Sequence, residues 1–191
     1  MIPLRKLVNR DQFPTWLNEN GLTGSGAEIG TYRGEYAEHL LTHWAGERLH
    51  CVDPWTSLPP AEYLDGCTLD HSTLSQLDMD AIMAEAQRRI EPFGARAMLF
   101  IGRSAEYAKR YLSPLDFAYI DGNHDYAHVA EDIELLWPRI RSGGVLGGHD
   151  FYTRDDHLQR ADVANAVWDF SNKIGIRPHV NGCTSWWLIK P

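Results

Sequence analysis

The chain has 191 residues, of which 43% are hydrophobic and 23% are charged, and its formal net charge is −8. This length and composition predict one globular domain and argue against a disordered chain. The acidic balance, together with the absence of any block of lysine or arginine, argues against nucleic acid as a substrate, because nucleic-acid binders usually carry a basic face.

The cysteines are few and widely spaced, at Cys51, Cys67 and Cys183. Such a set indicates free thiols in a reducing compartment and argues against a disulfide framework or a zinc site. The N-terminus has no charged segment followed by an apolar one, as a secretory signal would. No run approaches the roughly 18 apolar residues of a membrane span. We therefore expect a cytoplasmic protein that does not enter a membrane.

Residues 1–24 indicate a short helical lead-in that ends in a glycine-rich turn. Residues 27–29 predict a short apolar strand, extended backwards by one or two residues, and residues 49–52 predict a second strand. Between the two, apolar residues recur every four positions from Tyr36 to Trp44, which is typical of a helix that packs on a sheet. The chain therefore begins as lead-in, strand, helix and strand.

Residues 54–78 carry three prolines and few apolar repeats. A connection of this length is unusual in a compact domain and is often a functional lid. Asp80 is placed to act as the N-cap of a helix over residues 81–90. Residues 97–101 predict the third strand, after which Ser104 is placed to cap a short helix.

A strand–helix–strand unit follows. Residues 117–120 and 145–146 are apolar runs, and they end on Asp121-Gly122 and His149-Asp150. Apolar residues at spacings of four, three and four predict a helix over residues 129–140 between them. Because the strands of such a unit run parallel, both polar pairs are expected at the carboxyl ends of adjacent strands. Open α/β sheets bind their ligands at that edge.

The boundaries of the later elements follow from local signals. Asp125 is well placed to cap the helix over residues 129–140, Pro138 is expected to kink its last turn, and Gly143-Gly144 to end it. Residues 161–173 predict a final helix. An Asn181-Gly182 turn is expected to join two closing strands.

About five alternating strand and helix units, followed by a hairpin, predict an α/β fold of the Rossmann-like kind. We expect a single doubly wound, mostly parallel sheet of seven strands with a C-terminal antiparallel hairpin. The whole chain, residues 1–191, is expected to form one domain.

The stretch 28–34, EIGTYRG, follows a strand and opens a helix. Its glycines let the backbone approach a ligand, although a tight turn without a ligand also needs glycine. It is not the dinucleotide fingerprint, which argues against NAD. Asp53 ends the second strand about 20 residues later, where an acid takes ribose hydroxyls in dinucleotide-binding folds. A turn aspartate before Pro54 is the alternative.

Asp121, His149 and Asp150 form a candidate metal set. Carboxylates suit magnesium or manganese, and an imidazole shifts the preference toward manganese, iron or another transition metal. Alternatively, the two aspartates bind backbone amides at strand ends and His149 is an ordinary loop histidine. His124 is a candidate general base three residues beyond Asp121, or else a structural residue at the start of the next helix.

These motifs together resemble the class I S-adenosylmethionine-dependent methyltransferases. The group they resemble most is the small methyltransferase 24 family, near the metal-dependent macrocin and sugar O-methyltransferases. The stretches that carry the resemblance occur in the expected order along residues 25–190. They are residues 27–34, 52–55, 102–104, 119–126 and 141–151.

The resemblance implies S-adenosyl-L-methionine as the cofactor. It places Glu28 at the methionine moiety, Asp53 on the ribose hydroxyls, and Arg103 with Ser104 beside the adenine. It places Asp121 at the methionine end or on a divalent metal, Mg or Mn. The expected cofactor-binding residues are Glu28, Gly30, Thr31, Tyr32, Gly34, Asp53, Trp55, Arg103, Ser104, Asp121 and Gly122.

In the metal-dependent relatives, two adjacent acids follow the fifth strand. Here His149 replaces the first of them and Asp150 keeps the carboxylate, which puts the metal in doubt. His124 matches the base of some relatives, so Asp121 and His124 are the expected catalytic residues. Asp156 and His157 are close enough in the predicted topology to shape the acceptor site.

The main hypothesis is O-methylation of a small hydroxylated acceptor, with or without a divalent metal. Three alternatives remain open: a metal-dependent hydroxylase or hydrolase that uses Asp121, His149 and Asp150, a nicotinamide-dependent oxidoreductase, and a non-catalytic binding module. The sequence does not determine the oligomeric state, and a homodimer is compatible with it.

Overall fold

The structure is a computed structural model that describes residues 7, 9–57, 74–153, 161–181 and 183–191. Its strands are β1 Ser25–Ile29, β2 Arg48–Asp53, β3 Ala97–Ile101, β4 Leu115–Ile120, β5 Ile140–Gly148, β6 His179–Val180 and β7 Trp186–Ile189. Its α-helices are α1 Phe13–Glu19, α2 Glu35–His43, α3 Gln76–Ile90, α4 Ser104–Arg110, α5 Tyr126–Leu136 and α6 Asp162–Ile174. Short 3₁₀ helices span Arg10–Gln12, Glu91–Arg96 and Trp137–Arg139.

The seven strands form one sheet with the order β3-β2-β1-β4-β5-β7-β6. The pairs from β3 to β5 are all parallel, whereas β7 runs antiparallel to both β5 and β6. This arrangement confirms the predicted fold class. The chain moves outward from β1 to β3 and then returns to the other side of β1 with β4. The strand order therefore reverses between β1 and β4, which is where a doubly wound sheet opens a crevice at its carboxyl edge.

Helices cover both faces of the sheet, and the alternation of side chains along β1 shows how. Ala27 and Ile29 belong to the apolar cluster under α4, α5 and α6. The residues that alternate with these two along the strand face the opposite side of the sheet. The apolar cluster on that side is formed with α1 and α2 and includes Phe13 and Tyr36. Glu28 lies between Ala27 and Ile29 in the strand, so its side chain faces the α1 and α2 layer.

Helix α3 begins earlier than predicted, and Asp80 is not its cap. The helix starts at Gln76, and Ser75 is the N-cap. The Ser75 hydroxyl accepts a bond from the Asp78 amide, and the Asp78 carboxylate accepts one from the Ser75 amide, which makes a capping box. This reciprocal pair satisfies two amides at once, and Asp80 lies inside the helix.

Ser104 is also not a cap. It is the first residue of α4, Arg103 takes the N-cap position, and the Arg103 amide donates to Glu106. By contrast, the predicted role of Asp125 is confirmed, because its carboxylate accepts a hydrogen bond from the His128 amide at the start of α5.

The end of α5 differs from the prediction. The α-helix stops at Leu136, and the Trp137–Arg139 turn is 3₁₀. Pro138 has no amide hydrogen to continue the helix, so it ends the helix instead of kinking it. Ile140 then opens β5, and Gly143-Gly144 lie within that strand.

The predicted lid, residues 54–78, falls mostly outside the described residues. Its two ends are described, and they bind each other. The Ser57 hydroxyl donates to the carbonyl of Leu74 at 2.7 Å, and the Gln76 side chain donates to the carbonyl of Trp55 at 2.9 Å. The predictions for Asp156, His157 and Gly182, and for most of the first nine residues of the lead-in, lie outside the described residues as well. Within the described part of the chain, no helix has the length and apolar character that crossing a membrane requires.

A histidine is buried in the layer between the sheet and α4. The ring of His50 on β2 meets the rings of Tyr107 and Tyr111 edge-on, with centroids 5.5 Å and 5.1 Å away. The residue is 6% exposed. Burial, with a smaller contribution from the Arg48 cation, lowers the pKa of His50 to about 4. The folded protein therefore holds this histidine neutral at a pH where the unfolded chain protonates it.

We expect acid to destabilise the protein through His50. The pKa of His50 is near 6.5 in the unfolded chain and about 4 in the folded protein. As the pH falls between these values, the unfolded state binds a proton that the folded state does not bind, so the free energy of unfolding falls. Urea unfolding at about pH 7 and about pH 5 measures the loss. His50→Phe should reduce it by on the order of 2 kcal/mol relative to the wild type. His43→Asn, at an exposed position, is the control and should leave it unchanged. An equal loss in His50→Phe and the wild type would contradict this origin.

Candidate functional site

The loops that follow β1, β2, β3, β4 and β5 start side by side at the carboxyl edge of the sheet. After β1, β3, β4 and β5, the hydrogen-bonded pairing of the sheet continues for one residue beyond the strand. The amide of that residue donates to a carbonyl at the end of the neighbouring strand. These bonds run from Gly30 to Val52 at 2.9 Å, Gly102 to Asp53 at 3.0 Å, Asp121 to Ile29 at 2.8 Å and His149 to Ile120 at 3.1 Å. We call this edge the rim. The polar residues that the sequence assigns to the site therefore lie on one edge of the sheet.

Gly30 lies where the loops after β1 and β4 touch. Its φ is +88°, and a β-carbon built on it would lie 2.2 Å from the backbone oxygen of Asp121. A side chain at this position would collide with backbone, which cannot move as a flexible side chain can. The close approach of two loops thus requires glycine here, whether or not a ligand is bound.

Asp53 holds two loops of the rim together. One carboxylate oxygen accepts the amide of Tyr32 at 2.9 Å, and the other accepts the amide of Trp55 at 2.8 Å. The indole of Trp55 also donates to the carbonyl of Tyr32 at 2.8 Å. Tyr32 and Trp55 both have positive φ, at 49° and 42°. The alternative role of Asp53, as a turn aspartate that binds amides, is therefore present in the structure.

Glu28 is buried at the base of the rim. The residue is 2% exposed, and its Oε2 atom has no hydrogen-bond partner among the described residues. Burial is the largest of the causes that raise the pKa of Glu28 to about 8; the charges of Asp121 and Asp53 act in the same direction, whereas a hydrogen bond with Thr31 and the charge of Arg10 act against it. A buried carboxyl oxygen without a partner is costly for a fold, so Oε2 of Glu28 favours a polar ligand here.

Arg10 also lies at the rim, although no sequence pattern predicted it there. Its Nη1 lies 2.6 Å from Oδ2 of Asp121, and its guanidinium lies over the ring of Tyr36 at 4.6 Å. Burial alone would lower the pKa of Arg10, but the Asp121 carboxylate raises it overall. The two partners are separated by 111 residues in the chain. No local pattern or spacing marks such a pair.

The acids and histidines after β4 and β5 group differently from the prediction. Asp121, His124 and Asp150 offer ligand atoms that all lie within 4.8 Å of one another. Nε2 of His124 is 3.1 Å from Asp150 and 3.8 Å from Asp121. Among the described residues, His149 does not join this group.

His149 faces a different neighbour. Its Nδ1 approaches the other oxygen of Asp150 at 3.2 Å, and its Nε2 lies 3.4 Å from the Thr184 hydroxyl in the connection between β6 and β7. The amide of His149 continues the ladder with β4, whereas Asp150 leaves it with a φ of 56°. The backbone thus turns between the two residues. The structure groups Asp121 and Asp150 of the predicted metal set with His124, and metal binding by any of these residues stays a prediction.

Residues 27–151 match a family model described as a methyltransferase domain. The chain belongs to this methyltransferase family. The matched stretch runs from β1 to the residue after Asp150, so it contains the start of every rim loop. It begins after Arg10, which lies outside it. The resemblance that the sequence motifs carry is therefore confirmed.

The methyltransferase also resembles solved structures over nearly its whole length. The O-methyltransferase NovP is 16% identical, with a TM-score of 0.63 over 97% of this chain and 79% of that chain. TomG from Streptomyces achromogenes, an O-methyltransferase involved in tomaymycin synthesis and solved in complex with SAM, is 14% identical, with a TM-score of 0.60 over 95% and 80%. An rRNA methylase from Streptococcus thermophilus is 10% identical, with a TM-score of 0.58 over 95% and 96%. At these identities the likeness shows a shared fold. No curated protein sequence matches the chain.

The remaining predicted cofactor residues of the methyltransferase lie in three environments. Thr31 and Trp55 are buried, and Trp55 packs against Met79 and Ile82 of α3. Gly34 opens α2 with a φ of +79°. The Ser104 hydroxyl donates to Asp132 of α5, and burial raises the pKa of Asp132 to about 6. The side chain of Ser104 is thus engaged between α4 and α5.

We expect Gly30→Ala to damage both the fold and the rim. The strained φ and the backbone collision should lower the free energy of unfolding by on the order of 3 kcal/mol or more, measured by urea unfolding. Gly122→Ala is the matched control in the facing loop. A β-carbon there would meet nothing closer than 3.9 Å, so its effect should stay within about 1 kcal/mol. Equal effects at the two positions would show that the loops do not meet at Gly30.

Proposed function

We propose that this methyltransferase transfers a methyl group from S-adenosylmethionine to a hydroxyl of a small acceptor. The observation that supports it most strongly is the convergence of Glu28, Asp53 and Asp121 on one rim, at the point where the strand order reverses. The family match supports methyl transfer, and the fold is shared with O-methyltransferases such as NovP and TomG. No comparison favours a nicotinamide-dependent oxidoreductase or a metal-dependent hydroxylase or hydrolase.

The proposed cofactor lies across the loops after β1 and β2. Glu28 takes the ammonium of the methionine moiety, which would give its buried Oε2 atom a partner. Asp53, at the end of β2, accepts the ribose hydroxyls. Gly30 leaves room for the cofactor, and the loop of Arg103 and Ser104 borders the adenine. S-adenosylmethionine, when bound, supplies an electrophilic methyl group on a sulfonium.

The proposed acceptor site lies beside Asp121, His124 and Asp150. Two carboxylates and an imidazole are suitable ligands for Mn²⁺ and, through their oxygens, for Mg²⁺. A divalent ion held there would bind the acceptor hydroxyl and lower its pKa. The protein aligns the acceptor oxygen with the methyl group, which can contribute several kcal/mol to catalysis. His124 has a second candidate role in this site, as the base that takes the hydroxyl proton.

Charge favours a small acceptor over RNA for this chain. The rRNA methylase with the same fold shows that the fold alone does not decide the acceptor. The net charge of this chain is −8, and an acidic protein is repelled by a phosphate backbone. We retain the expectation of a cytoplasmic enzyme from the cysteine content, with a homodimer compatible with it.

Binding of S-adenosylhomocysteine, measured by calorimetry, tests the cofactor. We expect a measurable heat and a raised melting temperature for the wild type. Glu28, with a pKa of about 8 in the free protein, should ionise against the ligand ammonium and release up to about one proton near pH 7. Affinity should therefore rise with pH and level off above about pH 8, where Glu28 is already ionised in the free protein.

Titrations in two buffers of different ionisation enthalpy count the protons. Glu28→Gln should bind more weakly and release fewer protons than the wild type, whereas Glu47→Gln, at an exposed position, should behave like the wild type. No binding by the wild type would refute the cofactor proposal. Unchanged proton release in Glu28→Gln would place the ammonium elsewhere.

Titration with Mn²⁺ tests the ion and separates the two histidines. His124→Gln should weaken Mn²⁺ binding by at least about tenfold, because it removes a ligand atom from the group. His149→Gln, which keeps a polar side chain next to Thr184, should change it by less than about threefold. The opposite order would restore the ligand set predicted from sequence. Retained Mn²⁺ binding with lost turnover in His124→Gln would assign His124 to the base role instead.

A further inference from the structure

We propose that Arg10 recognises the carboxylate of the cofactor's methionine moiety. The lead-in before the matched domain would then supply one side of the cofactor site. This inference rests on the proposed function, because it assumes that an adenosyl amino acid binds at the rim.

The position of Arg10 is fixed by buried neighbours. Its 3₁₀ helix runs directly into α1, whose Phe13 and Leu17 are fully buried. The ring of Phe13 packs against those of Tyr119 on β4 and Trp187 on β7, with both centroids 6.0 Å away. The lead-in is thus anchored on the sheet, next to the strand that ends at Asp121. An arginine on an anchored element loses little further freedom when it binds a ligand.

Tyr36 links Arg10 to the glycine loop. The guanidinium lies over the Tyr36 ring, and the Tyr36 hydroxyl donates to the backbone carbonyl of Arg10 at 3.0 Å. Tyr36 is the second residue of α2, which begins where the 30–34 loop ends. This double contact orients the guanidinium and holds it beside the loop that is proposed to carry the methionine moiety.

Charge balance at the rim favours an anion next to Arg10. A zwitterionic amino-acid group needs an acid for its ammonium and a cation for its carboxylate. The charge of Arg10 acts on both Glu28 and Asp121, so it lies close to the acid proposed to take the ammonium. Two other arginines of this half of the domain are engaged with acids of α2 and α3: Arg33 with Glu85, and Arg89 with Glu38 and Glu85.

The guanidinium has the capacity for a second carboxylate. Arginine presents five N–H donors in a planar fork. Asp121 takes its bond from Nη1. A ligand carboxylate can therefore bind the same fork in a charge-assisted pair while Asp121 stays in place.

Two ligands that differ only in the carboxylate test the proposal. S-adenosylhomocysteine has it, and the decarboxylated analogue keeps the adenosine, the thioether and the amine. We expect the wild type to prefer S-adenosylhomocysteine by about ten- to a hundredfold in Kd, the value of a hydrogen bond between charged groups. Arg10→Met should reduce this preference to less than about threefold, and Arg10→Lys should retain part of it.

Arg89→Met is the matched control. The Arg89 side chain is 32% exposed, as is that of Arg10, and it also pairs with a carboxylate. The Arg89→Met variant should keep the full preference for S-adenosylhomocysteine over the decarboxylated analogue. Circular dichroism and melting temperature check that each variant folds, and Arg10→Lys serves if Arg10→Met does not. If Arg10→Met kept the full preference for S-adenosylhomocysteine, the role of Arg10 would be overturned and the proposed function would stand. The same conclusion would follow if a folded Arg10→Lys lost equal affinity for both ligands and so kept the full preference. Failure of the wild type to bind either ligand would overturn both.

Discussion

The contact between the loops after β1 and β4 is the constraint on which the rest of the rim depends. Parallel pairing brings the ends of these strands together, and the absence of a side chain at Gly30 lets the two backbones meet. This contact places the buried acid of β1 within electrostatic range of Asp121. The two loops thus meet at the point where the strand order of the doubly wound sheet reverses.

Three acids of the rim lie in different electrostatic environments. Glu28 is held away from water, Asp53 is stabilised by two amides, and Asp121 faces Arg10. Burial and the neighbouring charges of Asp121 and Asp53 keep the pKa of Glu28 high, at about 8, so this acid is mostly protonated in the free protein at neutral pH. The ammonium of the proposed cofactor would favour the ionised form of Glu28.

Much of the fold follows from local patterns, and the finer contacts do not. The apolar run of residues 97–101 coincides with β3, and the spacing of Val129, Ile133 and Leu136 marks the buried face of α5. The start of α3 is less evident from the sequence, because two kinds of cap are possible there. The reciprocal pair of Ser75 and Asp78 forms the cap, and the single acid Asp80 does not. The rim acids were found from their positions at strand ends. The grouping of His124 with Asp121 and Asp150 accompanies a backbone turn at Asp150, and the contact of Arg10 with Asp121 spans 111 residues. Neither leaves a periodic signal.

The hydrogen bonds between the two ends of the 54–78 segment have a consequence for how the segment can vary. Ser57 and Gln76 bind backbone carbonyls on the opposite end, so the chain leaves and re-enters the domain at one fixed point. Lengthening the connection between these residues changes the closure entropy only logarithmically. Insertions, deletions and substitutions there can accumulate without disturbing β2 or α3. The chain thus has a place where the length of a connection can change while the flanking strand and helix keep their positions.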